Sequence, residues 1–120
     1  MKIWTLVANE NWICDRLVSD WKLGNPDITT DSLQDADIIW LLSDWCWKSV
    51  PWDDLVTKKV VTTIHHIVPE KFDVAAQLDF DTRDRITDCY HVCNNRTYDF
   101  IRPLTMKPIK LISYWANQYV

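Results

Sequence analysis

Short apolar runs alternate along this chain with stretches whose apolar positions recur every three to four residues. The first periodicity marks strands and the second marks helices. Lys2 to Val7 reads as a first strand. Asn11 to Leu23 reads as a helix, with Ile13, Cys14, Leu17, Val18 and Trp21 on one stripe, and Gly24, Asn25 and Pro26 stop it. A short strand fits Ile28 to Thr30. The unbroken apolar run Ile38-Ile39-Trp40-Leu41-Leu42 predicts a strand buried on both faces. Pro51 to Val56 predicts one or two helical turns with proline at the start. Lys59 to Ile64 is the next strand, Asp79 to Thr87 a helix, and Cys89 to Cys93 a further strand. Asn94 or Asn95 caps a helix carrying Tyr98, Ile101 and Leu104, which Pro103 bends or ends. Ile109 to Ser113 is the last strand. The alternation predicts an α/β chain: a single Rossmann-like three-layer domain, 1–120, with a mostly parallel sheet of about six strands.

The most informative segment is Val60-Val61-Thr62-Thr63-Ile64-His65-His66-Ile67-Val68-Pro69. A β-branched run delivers two histidines to the carboxyl end of a strand, the edge at which open α/β sheets bind ligands. If the sheet is parallel, other loops bring unusual residues to the same edge. They are Asn9-Glu10-Asn11-Trp12, Ser43-Asp44-Trp45-Cys46-Trp47, Cys93-Asn94-Asn95 and Tyr114-Trp115-Ala116-Asn117. Flat rings beside amides, carboxylates and imidazoles suit a sugar: rings cover C–H faces, polar groups meet hydroxyls. The candidate binding residues are therefore His65, His66, Asn9, Glu10, Asp44, Trp45, Trp115 and Asn117. Each also has a plainer reading. Successive strand residues point to opposite faces, so one of the two histidines at most reaches a given ligand. Asp44 to Trp47 suits packing, Asn94 suits a helix cap, and Asn9 and Glu10 suit the start of the first helix.

Composition narrows the function. The chain has 120 residues, 48% of them apolar, enough for one domain with a real core. Its single glycine, Gly24, excludes the glycine-rich phosphate loops of dinucleotide and nucleoside-triphosphate sites. A net charge of −4 with no basic stripe argues against a nucleic-acid partner. No apolar run reaches the ~20 residues of a membrane helix, and the early polar Asn9-Glu10-Asn11 argues against a signal peptide. Cys14, Cys46, Cys89 and Cys93 are then expected as free thiols in a cytoplasmic setting. Cys89, His91 and Cys93 are close in sequence, but a strand separates the two sulfurs by about 13 Å, too far to share one zinc. No metal, other cofactor or catalytic side chain is expected. A phospho-receiver-like reading lacks the acidic pair after the first strand.

Four stretches resemble the amino-terminal half of bacterial glycosyltransferases of the GT-B, two-Rossmann-domain type. They are Glu10-Asn11-Trp12-Ile13-Cys14-Asp15-Arg16, Asp35-Ala36-Asp37-Ile38-Ile39-Trp40-Leu41-Leu42-Ser43-Asp44-Trp45-Cys46-Trp47, Thr63-Ile64-His65-His66-Ile67-Val68-Pro69-Glu70-Lys71-Phe72, and Lys107 to Asn117. The resemblance implies the acceptor side of a cleft whose nucleotide-sugar donor is held mainly by a second domain. It implies that His65 or His66, with His65 favoured, hydrogen-bonds a hydroxyl of the donor sugar. Asn9 to Trp12 departs from the family, since many relatives place glycines there near the phosphates. No second domain stands in the sequence, and Tyr114 to Val120 reads as a lead-in to more protein. Partners implied are a sugar acceptor or nucleotide-sugar donor in a complete enzyme. The alternative is a non-catalytic α/β module that self-associates, a homodimer through an exposed Trp-rich cleft.

Overall fold

In a computed structural model, residues 1–6, 13–65 and 67–113 are described, with only the backbone of residues 13–15. Five strands form one wholly parallel sheet in the order β1-β2-β3-β4-β5. They are β1 (Ile3–Thr5), β2 (Ile38–Leu41), β3 (Lys59–Ile64), β4 (Cys89–Val92) and β5 (Ile109–Leu111). Four α-helices connect them: α1 (Ile13–Gly24), α2 (Trp52–Thr57), α3 (Val74–Ile86) and α4 (Asn95–Ile101). The fold is Rossmann-like α/β, as the sequence predicts, with five strands in place of six.

The strand expected at Ile28 to Thr30 shrinks to one parallel bridge, Ile3 to Thr29, on the outer edge of β1. Pro26 precedes it closely, and a turn follows in which the Thr30 hydroxyl accepts from the Ser32 amide at 3.1 Å. Among the described residues, two backbone bonds tie the segment to β1: Ile3 N to Ile28 O at 2.7 Å and Thr30 N to Ile3 O at 3.0 Å.

That single bridge decides the winding. The chain leaves β1 through α1 toward the outer edge. Every later crossover steps the other way, from β2 through to β5. Right-handed crossovers of opposite direction put their helices on opposite faces of a sheet. The packing agrees. One face (Ile39, Leu41, Val60, Ile64, Tyr90 and Val92) is buried under α2, α3 and α4 through Leu55, Phe80, Ile86 and Ile101. The other face receives α1 alone, where Leu17 and Val18 pack with Trp40 and Leu42. Trp21 meets Trp40 edge to face at 5.1 Å, a contact worth about 1 kcal/mol beyond the area it buries.

Local signals set the element ends. Asp73 caps α3 by accepting from the Ala76 amide at 2.9 Å. The helix therefore starts five residues before the predicted Asp79. Its first turn has no apolar stripe, since Val74 is 78% exposed, so hydrophobic periodicity does not mark it. Asn94 caps α4, its side-chain oxygen accepting from Thr97 N at 2.8 Å. The α4 helix ends at Ile101, where Pro103 sits in a 3-10 turn and has no N–H to continue the ladder.

Candidate functional site at the carboxyl edge

Because crossovers diverge after β1 and after β2, the carboxyl ends of these two strands flank the topological switch point. Doubly wound sheets open a crevice there. The last residue of β1, Thr5, lies on the α1 side of the sheet, opposite Trp40. Its side chain is buried and its hydroxyl has no partner among the described residues. A buried hydroxyl without a partner costs about 1–3 kcal/mol. It sits at the switch point, closed off from the surface.

The exit of β2 supplies the next wall. After Leu42 and Ser43, both buried, the chain turns through Asp44 and Trp45 into a 3-10 turn at Cys46–Ser49. Cys46 is buried in the core and Trp47 packs against it, so these two anchor the turn. Trp45 stays outside, 38% exposed. Asp44 is held from below. The Arg83 guanidinium donates through Nη1 to the Asp44 carbonyl at 3.0 Å and lies 3.8 Å from its carboxylate. Arg83 is itself buried, its guanidinium 4.9 Å from the centre of the Phe80 ring. The turn is thus held through the Asp44 backbone carbonyl, while its carboxylate stays half exposed.

His65 follows β3 directly. Its Nε2 stands 2.5 Å from the Leu42 carbonyl, which only accepts, so Nε2 carries the hydrogen and donates. The His65 carbonyl accepts from Asn94 Nδ2 at 3.4 Å. This histidine therefore ties the exits of β2, β3 and β4 together at the edge. One of its ring nitrogens is engaged in that tie. Asn94 is both a cap and part of the same lacing. The structure brings His65 and the Ser43-Asp44-Trp45 turn to one edge. His66, Asn9, Glu10, Trp115 and Asn117 lie outside the described residues.

Sequence reasoning missed a polar chain on the α1 side of the sheet. Trp40 Nε1 donates to the Thr63 hydroxyl at 2.8 Å, and Thr63 Oγ1 stands 3.0 Å from His91 Nδ1. His91 Nε2 stands 2.8 Å from the Ile112 carbonyl and 3.8 Å from the Cys93 sulfur. A carbonyl only accepts, so in the neutral ring Nε2 carries the hydrogen. Nδ1 then accepts from Thr63, whose oxygen accepts from Trp40. The chain crosses β2, β3, β4 and the residue following β5, pinning four successive segments side by side. The signal was a Thr and a His at interior strand positions, where parallel sheets ordinarily carry aliphatic residues.

Titration is shifted at Tyr90 and at Cys89. Tyr90 is pushed well above its ordinary value, first by burial and then by its hydrogen bond to Asp84 at 2.6 Å. The Cys89 thiol is raised by burial, while Lys110 pulls it down and Asp88 pushes it up. The three described cysteines, Cys46, Cys89 and Cys93, form no disulfide. Among the described residues no group of three or more His, Cys, Asp or Glu is placed to hold a metal ion. No described helix is long and apolar enough to cross a membrane. Compared with known proteins, the chain matches no family profile, no curated protein and no solved structure.

Proposed function

We propose that this chain is the acceptor-side half of a glycosyltransferase of the two-Rossmann-domain type, and that it binds sugar at the carboxyl edge of its sheet. The observation that carries this reading is the mixture of polar and aromatic residues at the switch point. A buried hydroxyl without a partner, Thr5, lies at one strand end, and a half-exposed ring, Trp45, follows the next. An aromatic face for C–H groups beside polar groups for hydroxyls is the mixture a sugar requires. His65 and Asp44 position this edge, and the His65 imidazole is the side chain there nearest in chemistry to a sugar contact. The donor nucleotide falls to a second unit, and transfer of the sugar requires that unit. The cleft works by binding and orientation, with no proton transfer assigned to His65.

Titration of the chain with mono- and disaccharides, and separately with UDP-glucose and GDP-mannose, tests the division of labour. Nitrogen–proton NMR spectra should show millimolar sugar binding that shifts the Trp45 indole signal and vanishes in Trp45→Ala. The nucleotide-sugars should bind no more tightly than their free sugars. Micromolar binding of a nucleotide-sugar, or no shift with any sugar, would overturn the reading.

Self-association through edge tryptophans is the second reading, favoured by Trp45 and by Trp52, which is 44% exposed. Under it, sedimentation shows a mass that rises with concentration and falls back in Trp45→Ala. A strict monomer at all concentrations would exclude it.

A further inference from the structure

Among the described residues, the α1 face of the sheet is covered over β1 and β2 only. Beside α1 lies an open hollow of about 390 Å³. Ile3, Ile38 and Val61 line it, Trp21 and Trp40 form its wall toward α1, and Cys89, His91, Lys110 and Ile112 border it on the other side. That volume is in the range of small-molecule sites, which are largely apolar with a few placed polar groups.

The polar groups here reduce to one. Both ring nitrogens of His91 face protein partners, Thr63 on one side and the Ile112 carbonyl on the other. The Trp40 N–H is turned to Thr63. Lys110 alone has no hydrogen bond or ion pair among the described residues, and its ammonium is close enough to Cys89 to pull that thiol's titration down. Among the described residues no Asp or Glu lines the hollow. There the arrangement is an apolar trough with two perpendicular indoles at one wall and, among the described residues, one cation without a partner at its rim.

We propose that this trough binds an amphiphilic carboxylate, a compound with an apolar body and one anionic head. The body lies across Val61 between Trp40 and Ile112, and the head meets the Lys110 ammonium. Charge selects this occupant. A neutral apolar molecule leaves Lys110 without a partner. A second copy docked trough to trough sets its own Lys110 against the first, with no Asp or Glu among the described lining residues of either. The site stands on the sheet face, apart from the carboxyl edge, and does not depend on the sugar reading.

The test compares three molecules with the same body and different heads: decanoate, 1-decanol and decylamine. Tryptophan fluorescence of the full chain follows binding. Site-resolved mass spectrometry follows the alkylation rate of Cys89, which borders the trough. Decanoate should bind about fivefold tighter than decanol, the size of one ion pair at a partly sheltered surface, and decylamine weaker than both. Bound decanoate should slow Cys89 alkylation severalfold. In Lys110→Glu the order should reverse, with decylamine tightest. Val61→Phe, which fills the floor, should weaken all three.

Equal binding of decanoate and decanol would overturn the proposal by making the trough a nonspecific apolar surface. Protection of Cys89 that grows with protein concentration alone would overturn it in favour of a second copy. Cys89 already shielded in the dilute chain, and unaffected by decanoate, would overturn it in favour of coverage by the chain's own residues.

Discussion

The Thr63 hydroxyl stands between two rings, 2.8 Å from Trp40 Nε1 and 3.0 Å from His91 Nδ1, and serves both at once. It accepts from the indole and donates to the imidazole. A side chain of the same shape without the oxygen cannot do either. Thr63→Val should therefore leave two polar groups without their partner and lower the stability by about 2–4 kcal/mol. Urea unfolding measures this. The double variant with Trp40→Phe should lose less than the sum of the single losses, because the second change removes one of the abandoned donors.

Tyr90 should make the fold sensitive to alkali. Its titration in the folded chain is raised above the ordinary value near 10, because burial and the bond to Asp84 both favour the neutral phenol. The stability from that bond is fully present below about pH 10 and is lost as pH rises from there toward the folded value. Urea midpoints at pH 9 and pH 11 should fall further for the parent chain than for Tyr90→Phe. At pH 7 the variant should be less stable by about 1–2 kcal/mol, the worth of a hydrogen bond to a charged group.

Cys89 should alkylate with a midpoint above that of an ordinary thiol, because burial disfavours its thiolate. The neighbours give two signs. Lys110→Ala removes a cation and should move the midpoint further up, while Asp88→Asn removes an anion and should move it down. Asp88 also accepts from the Val60 amide at 2.8 Å, so its asparagine variant keeps an acceptor for that bond. Alkylation rates against pH, resolved by mass spectrometry, check both.

Arg83 supports the Asp44-Trp45 turn through packing as well as charge. Arg83→Ala removes the buried stem, the guanidinium over Phe80 and the donor to the Asp44 carbonyl, and should cost about 2–3 kcal/mol. Arg83→Met keeps the stem and removes a buried charge whose Nε has no partner, so it should stay within about 1 kcal/mol of the parent. Denaturant unfolding of the two variants separates the contributions. Both should broaden the Trp45 indole signal, since both release the turn.

The β-branched run at Lys59 to Ile64 and the apolar run at Ile38 to Leu42 were legible because a parallel strand buried on both faces needs continuous apolar residues. The caps at Asn94 and the stop at Pro103 were legible because they are local chemistry. The start of α3 was not, since Asp73 announces it and Val74 and Leu78 point to solvent. The strand at Ile28 to Thr30 was overread, because propensity says nothing about how many ladder bonds a neighbour offers. The places of His65 and Trp45 just beyond strand ends were legible, since each follows a strong apolar or β-branched run. The partnerships of His91 and Arg83 and the unpartnered hydroxyl of Thr5 were not, since each depends on what the tertiary fold sets opposite.

In the sheet, spatial order from β1 to β5 repeats the order of the sequence. A chain synthesised from its amino terminus therefore always finds the edge for its next strand already made. β3 emerges to meet β2, β4 to meet β3, and β5 to meet β4. No strand has to be inserted between two finished neighbours. Assembly can proceed as extension at one growing edge, and each step exposes only a single unpaired strand to the surrounding solution.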